Sequence, residues 1–176
     1  MQIRLNRWTA TAAAIVLAVT ALASQARPRP TVLDMTITAA PDVNPDNGGA
    51  PSPVMVRYFE LRSPGPFMSA DFFALFEGAS TVLASVLMNS AEVQLQPGES
   101  RSVRLELNGE TRYVAVMVAF QAIDQAQWRA GFDVVPNKIN MKRILVSGTN
   151  VSVQPGCCPQ GERRCEDRTL PRCPSR

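Results

Sequence analysis

The sequence predicts a mainly β fold, a β-sandwich of about seven to eight short strands with a short two-helix insertion after the second strand. Two observations carry this. Apolar residues recur with period two in short runs separated by Pro-, Gly- and Asn-rich turns, and the run Tyr113–Phe120 is apolar on both faces, as a central strand is. A third sets the insertion: between Ser69 and Leu87 the period shifts to that of a helix.

Residues 1–26 read as a secretory signal peptide. Arg4 and Arg7 precede an uncharged apolar run from Trp8 to Ala23, and cleavage fits after Ala23 or Ala26. The run is shorter than the roughly 20 residues of a membrane-spanning helix, which makes a retained anchor the minor reading. Arg27-Pro28-Arg29-Pro30 is an extended linker into a domain spanning 27–154.

Leu33, Met35, Ile37 and Ala39 alternate with Asp34, Thr36 and Thr38, a half-buried first strand. Pro41–Pro53 is then too rich in Pro, Asx and Gly for regular structure. Val54–Leu61 is the second strand, stopped by Pro64 and Pro66. Ser69 is placed to cap a helix carrying Phe72, Phe73 and Phe76, with Asp71 as a first-turn acid. Glu77-Gly78 breaks that helix, and Ser80 is placed to cap a second one that buries Val82, Leu83, Val86 and Leu87. Phe67, Phe72, Phe73 and Phe76 are read as the face packed on the sandwich rather than as a ligand cage.

Val93 and Leu95 lead to the turn Pro97-Gly98, and Val103, Leu105 and Leu107 alternate with Arg104 and Glu106. Asn108-Gly109 is the strongest hairpin signal in the chain. After Tyr113–Phe120 comes an ambiguous stretch, Gln121–Ala130, with a helical turn carrying Trp128. Phe132–Val135, Met141–Val146 and Val151–Val153 are closing strands, and Ser147–Asn150 is a tight connection.

Composition narrows the function. The chain has 18 basic and 15 acidic side chains; loss of Arg4 and Arg7 with the signal leaves 16 against 15, so no basic surface argues for nucleic acid. There is no histidine, which removes the usual general base, the serine and cysteine triads and the commonest metal ligand. Glu60, Glu77, Glu99, Glu106 and Glu110 are scattered at strand ends and turns, with no pair spaced for acid–base work. No catalytic residue, metal site or cofactor is expected. The long loop after the first strand is the candidate binding feature, since loops of this length in compact domains tend to be functional.

The strand ending RYFELRSPGPF, the helix SADFFALF, the turn Leu95–Glu99 and the strand Tyr113–Phe120 followed by Trp128 together resemble the TssJ family of type VI secretion lipoproteins. The resemblance covers Asp34 to Val153. It implies a transthyretin-like β-sandwich that performs no chemistry, takes no small-molecule substrate and works in the periplasm at the outer membrane. It also implies a partner, the periplasmic domain of the inner-membrane subunit TssM, with other secretion-complex subunits possible at the outer membrane. The family's contact loop falls on Asp42, Val43, Asn44, Pro45, Asp46, Asn47, Gly48, Gly49, Ala50, Pro51 and Ser52, with Asn44, Asp46, Asn47 and Gly48 expected at its tip. One departure stands out: where the family's lipobox has a cysteine, Leu22-Ala23-Ser24 is followed by Gln25, so lipobox acylation is not expected. The alternative reading is a general periplasmic ligand-binding module.

Residues 155–176 form a separate tail holding all four cysteines, Cys157, Cys158, Cys165 and Cys173. In an oxidising compartment an even count in a short Pro-rich segment reads as two disulfides. Pairings that give Cys157 and Cys158 separate partners are favoured, because adjacent cysteines bridge with strain. A four-cysteine zinc site is the weaker alternative, as no C-x2-C pair is present.

Overall fold

A computed structural model describes residues 29–156. The signal-peptide and linker readings up to Pro28, and the cysteines at 157, 158, 165 and 173, lie outside the described residues. Among the described residues no helix is long and apolar enough to cross a membrane.

Eight strands form two four-stranded sheets. They are β1 (Val32–Ala39), β2 (Val54–Leu61), β3 (Leu87–Leu95), β4 (Ser100–Glu106), β5 (Tyr113–Ala119), β6 (Arg129–Asp133), β7 (Ile139–Ser147) and β8 (Asn150–Pro155). One sheet runs β4-β1-β7-β8 and the other β3-β2-β5-β6. All pairs are antiparallel except β1 with β7, which start side by side at Val32 and Ile139. Leu33, Met35, Ile37, Val56, Tyr58, Val114, Val116, Val118, Ile144 and Val146 fill the space between the sheets. Period two puts each of these on the inner face of its strand.

The β3-β2-β5-β6 sheet is apolar on its outer face too. Phe59 and Leu61 of β2 and Ala115 and Met117 of β5 point away from the sandwich, each 2 % exposed or less. The insertion covers them. It consists of α1 (Gly65–Ser69) and α2 (Phe72–Val82), whose Phe67 and Leu75 are fully buried there together with Leu83 just past α2. Burying such side chains contributes about 1.5–3 kcal/mol each.

Two arginines of the same sheet tie the helical backbone down. Arg57 donates from Nη1 to the Phe76 carbonyl at 3.1 Å, pairs with Glu92 at 2.9 Å and lies over the Phe76 ring. Arg129 Nη1 reaches the Met68 and Ala70 carbonyls at 2.7 and 3.0 Å and lies over Trp128. Met68 and Ala70 lie at the C-terminal end of α1, where carbonyls lack a partner within the helix. The Arg129 cation therefore meets both an unfilled hydrogen bond and the favourable end of the dipole. Phe76 lies just before the kink at Gly78.

Several local expectations change. Pro66 lies in the first turn of α1 rather than merely ending a strand, as proline's fixed φ and missing N–H permit. Ser69 therefore ends α1, and the cap of α2 is Asp71, whose carboxylate accepts from the Ala74 N–H at 2.9 Å. The expected break at Glu77-Gly78 is present as a kink at Gly78, φ −138°, but Ser80 makes no capping bond for the helical turn that follows and ends at Val82. Phe73 is 58 % exposed, so it is not part of the packed aromatic face, whereas Phe72 and Phe76 stack on one another and Phe72 meets Trp128 edge-on. Asn108-Gly109 does not close a hairpin, because β4 pairs with β1 and β5 with β2. That turn carries the chain from one sheet to the other. The helical turn after β5 is Ile123–Gln125, and Trp128 follows it in the extended approach to β6, which ends at Asp133 rather than Val135.

The crossover is pinned by a buried carboxylate. Glu60, 2 % exposed at the end of β2, accepts from the Asn108 N–H and the Thr111 hydroxyl, each at 3.1 Å, and from Asn89 Nδ2 at 3.2 Å. On edge strand β6, Gly131 leaves room for the Tyr113 ring, whose hydroxyl would lie 2.5 Å from an added Cβ. Burial, then the nearby Asp133, pushes the Tyr113 phenol above its usual range.

Glu60→Ala leaves the buried Thr111 hydroxyl and the part-buried Asn108 N–H and Asn89 amide without their acceptor. It should cost about 1–3 kcal/mol of unfolding free energy, measured by urea denaturation. Glu60→Gln keeps the shape and an acceptor and should cost less than half as much. Equal losses in the two variants would mean the carboxylate is not what holds the crossover.

Candidate functional site

At the end of the sandwich where β1 finishes, the chain leaves sheet geometry at Ala40 and returns at Val54. The first residues described, and Gly156, lie at the other end: Val32 N–H donates to the Lys138 carbonyl and Gly156 N–H to the Met141 carbonyl, both at 3.0 Å. The loop Asp42–Ser52 thus projects from the end opposite to the one where the described chain enters and leaves.

The loop has a buried foot and an exposed head. Val43 is fully buried in the core between the sheets, the one branched aliphatic residue of the loop. Asn44, 3 % exposed, was expected at the tip and instead lies at the foot. Its backbone is left-handed at φ +50°, a conformation that asparagine tolerates better than most residues. Every polar group on it except its carbonyl has a named partner. The backbone N–H donates to the Gly148 carbonyl, Nδ2 to the Pro53 carbonyl, and Oδ1 accepts from the Gln121 N–H, all at 2.8 Å. Ser52 N–H closes the foot on the Val43 carbonyl at 3.1 Å. Asp42 is exposed and accepts from the Ser147 hydroxyl at 3.2 Å.

The head, Asp46–Pro51, is exposed throughout and folded on itself. Asp46 Oδ1 accepts from the Gly48 and Ala50 N–H groups at 2.8 and 2.9 Å, an Asx turn. The Asp46 N–H donates to the Ala50 carbonyl and the Gly49 N–H to the Asp46 carbonyl, each at 2.9 Å. Gly49 sits at φ +83°, where other residues are strained. Pro45 is half-buried, and Asn47, Gly48, Gly49, Ala50 and Pro51 face solvent. Beside the foot, the Glu99 carboxylate accepts from the Gln96 N–H at 2.9 Å and pairs with Arg101 at 3.1 Å; these bonds hold its pKa below the usual carboxylate range.

Among the described residues no group of three or more His, Cys, Asp or Glu is arranged to hold a metal. An open cleft of about 400 Å3 lies between α2 and β3, lined by Arg57, Phe59, Phe76, Ser80, Ser90 and Glu92. Its guanidinium is already bound to Glu92 and the Phe76 carbonyl. Phe73 and Met68, exposed on the helical layer, and Val135 after β6 are large apolar side chains that sequence reasoning did not place at the surface.

Residues 31–155 match the family described as type VI secretion lipoprotein, VasD, EvfM, TssJ. The T6SS lipoprotein TssJ1 from Pseudomonas aeruginosa is 30 % identical with a TM-score of 0.72, over 74 % of this chain and 99 % of that one. Serratia marcescens Lip, a membrane-bound component of the type VI secretion system, is 26 % identical with a TM-score of 0.66, over 71 % of this chain and 96 % of that one. A chain in the structure described as the T6SS protein TssM C-terminal domain from EAEC is 28 % identical with a TM-score of 0.60, over 69 % of this chain and 99 % of that one. No curated protein sequence matches.

Asp46→Ala removes the two hydrogen bonds that close the head. Amide exchange at Gly48 and Ala50 should accelerate by about tenfold or more, while global stability falls by less than about 1 kcal/mol, because the head is exposed and buries no core residue. Unchanged exchange at both amides would show that the Asx turn does not order the head.

Proposed function

Because the chain belongs to the TssJ family of type VI secretion lipoproteins, we propose that it is a non-enzymatic structural component of the type VI secretion membrane complex, whose loop Asp42–Ser52 binds the periplasmic domain of a TssM-like inner-membrane subunit. The observation that carries this reading is the loop itself. It is a projecting head on a buried foot, already ordered by its own hydrogen bonds, so little conformational entropy remains to be lost on association. The likeness to a chain in the TssM C-terminal domain structure supports the choice of partner. The absence of histidine from the sequence and the engaged state of Arg57 in the α2–β3 cleft support a role in binding over one in catalysis or small-ligand capture.

On this reading the protein sits in the periplasm at the outer-membrane side of the complex. Without a cysteine after Leu22-Ala23-Ser24, its hold on that membrane comes through partner subunits.

Calorimetric titration of residues 27–176 with the periplasmic domain of the cognate TssM-like subunit should give a micromolar or tighter complex, about −8 kcal/mol or better. Replacing Asp46–Pro51 by two glycines, with Val43, Asn44 and Pro53 kept, should abolish that binding and change stability by no more than about 1 kcal/mol. If the shortened protein bound normally, the loop would not be the contact. If the intact, folded protein failed to bind, the assembly role itself would fall.

A further inference from the structure

The loop does not stand alone at its end of the sandwich. Asn44 Oδ1 holds the Gln121 N–H, the start of the β5–β6 connection, and its own N–H holds Gly148 in the β7–β8 turn. The far end of that connection is fastened to the same turn, since the Gln127 N–H donates to the Thr149 carbonyl and the Val151 N–H to the Gln127 carbonyl, both at 3.0 Å. The segment 121–127 is therefore pinned at both ends, while Ala122, Asp124 and Gln125 between them are exposed. Residues 41–53, 121–127 and 147–150 contain Asp42, Asp46 and Asp124 and no lysine or arginine.

We propose that the partner surface is composite, formed by the loop head Asp46–Pro51 together with the β5–β6 connection, and that buried Asn44 is the positioning residue that holds the two as one pre-formed unit. The proposal rests on the assembly role above and names what the partner must offer: a face with basic or amide donors, complementary to Asp42, Asp46 and Asp124, whose segments carry no lysine or arginine. Asn44 is specified by more than one demand. Glycine would accept the left-handed backbone but make neither side-chain bond. Aspartate would keep the acceptor for Gln121 and set a carboxylate against the Pro53 carbonyl. Alanine would lose both bonds and strain the backbone as well.

The test uses the intact mature chain and measures binding kinetics with the TssM-like periplasmic domain alongside amide exchange. Asn140 supplies a matched control at the opposite end. It is 6 % exposed, accepts from the Val135 N–H and donates to the Val135 and Lys138 carbonyls, so its loss also cuts a buried amide network. Asn44→Ala and Asp124→Lys should each weaken binding at least tenfold at a temperature where all variants are folded, and Asn140→Ala should bind as the unaltered protein does. Asn44→Ala should also speed exchange at Gln121 and Gly48. If it does not fold, Asn44→Asp takes its place, with a smaller loss in the same direction. Unchanged binding by Asp124→Lys would remove the β5–β6 connection from the surface. Equal losses in Asn44→Ala and Asn140→Ala would reduce Asn44 to a stability residue. If the unaltered protein did not bind, the assembly role would fail on its own. Exchange at Gly48 would still decide the positioning role: faster in Asn44→Ala but not in Asn140→Ala upholds it, and no difference overturns it.

Discussion

The β3-β2-β5-β6 sheet is apolar on both faces, and the rest of the molecule is arranged around that fact. A sheet in a simple sandwich buries one face and wets the other, so its strands alternate. Here β5 is buried at each of its five central residues, Val114 to Val118. Leaving Phe59, Leu61 and Met117 in water would forfeit several kcal/mol. A third layer is required, and the insertion after β2 supplies it with two short helices. Neither helix is long enough to be stable in isolation. Their order comes from the sheet beneath them and from Arg57 and Arg129, which reach up from it to the carbonyls of Phe76, Met68 and Ala70.

The other sheet has one wet face, and this division leaves the two ends of the sandwich to do different work. At one end the described chain enters and leaves, and buried Glu60 and Asn140 satisfy the backbone where strands cross between layers. At the other end Asn44 performs the equivalent task for the projecting loop. A buried polar side chain is stable only when fully bonded, which ties each of these groups to one backbone arrangement. The projecting head inherits that definition from its foot. A pre-formed, mostly polar surface associates with little ordering cost, and specificity then comes from the match of shape and charge rather than from apolar area.

Much of this was legible in the sequence. Local patterns marked a stretch within each of the eight strands, period two in the first four, and the bounds of β2 agree to the residue. The doubly apolar run at Tyr113–Phe120 marked β5 as central, and the loop was visible from its Pro, Asx and Gly content. These features are local, written into the repeat of side chains along a few residues of chain. The family resemblance, seen in the order of those features, holds over residues 31–155. What went astray was the partner of each local signal. Ser69 and Ser80 are good capping residues, but the capping was done by Asp71, because where a helix begins depended on how Pro66 and Phe67 sat on the sheet. Asn108-Gly109 is a good hairpin turn that here joins two different sheets.

For the site, the sequence determined that a long loop of turn-forming residues follows the first strand, and that no histidine is available for chemistry. Only the tertiary structure decided which loop residues face out. Val43 and Asn44 look like any others in that run, yet they are its foot. Val43 packs into the core between the sheets, and the groups that claim Asn44, Gly148 and Gln121, lie more than seventy residues away in sequence, in connections that follow strands of different sheets. Hydrogen-bond partners brought together by the packing of two layers leave no periodic trace in the chain. A turn signal records the conformations a segment can adopt, and the surrounding layers select the one it keeps.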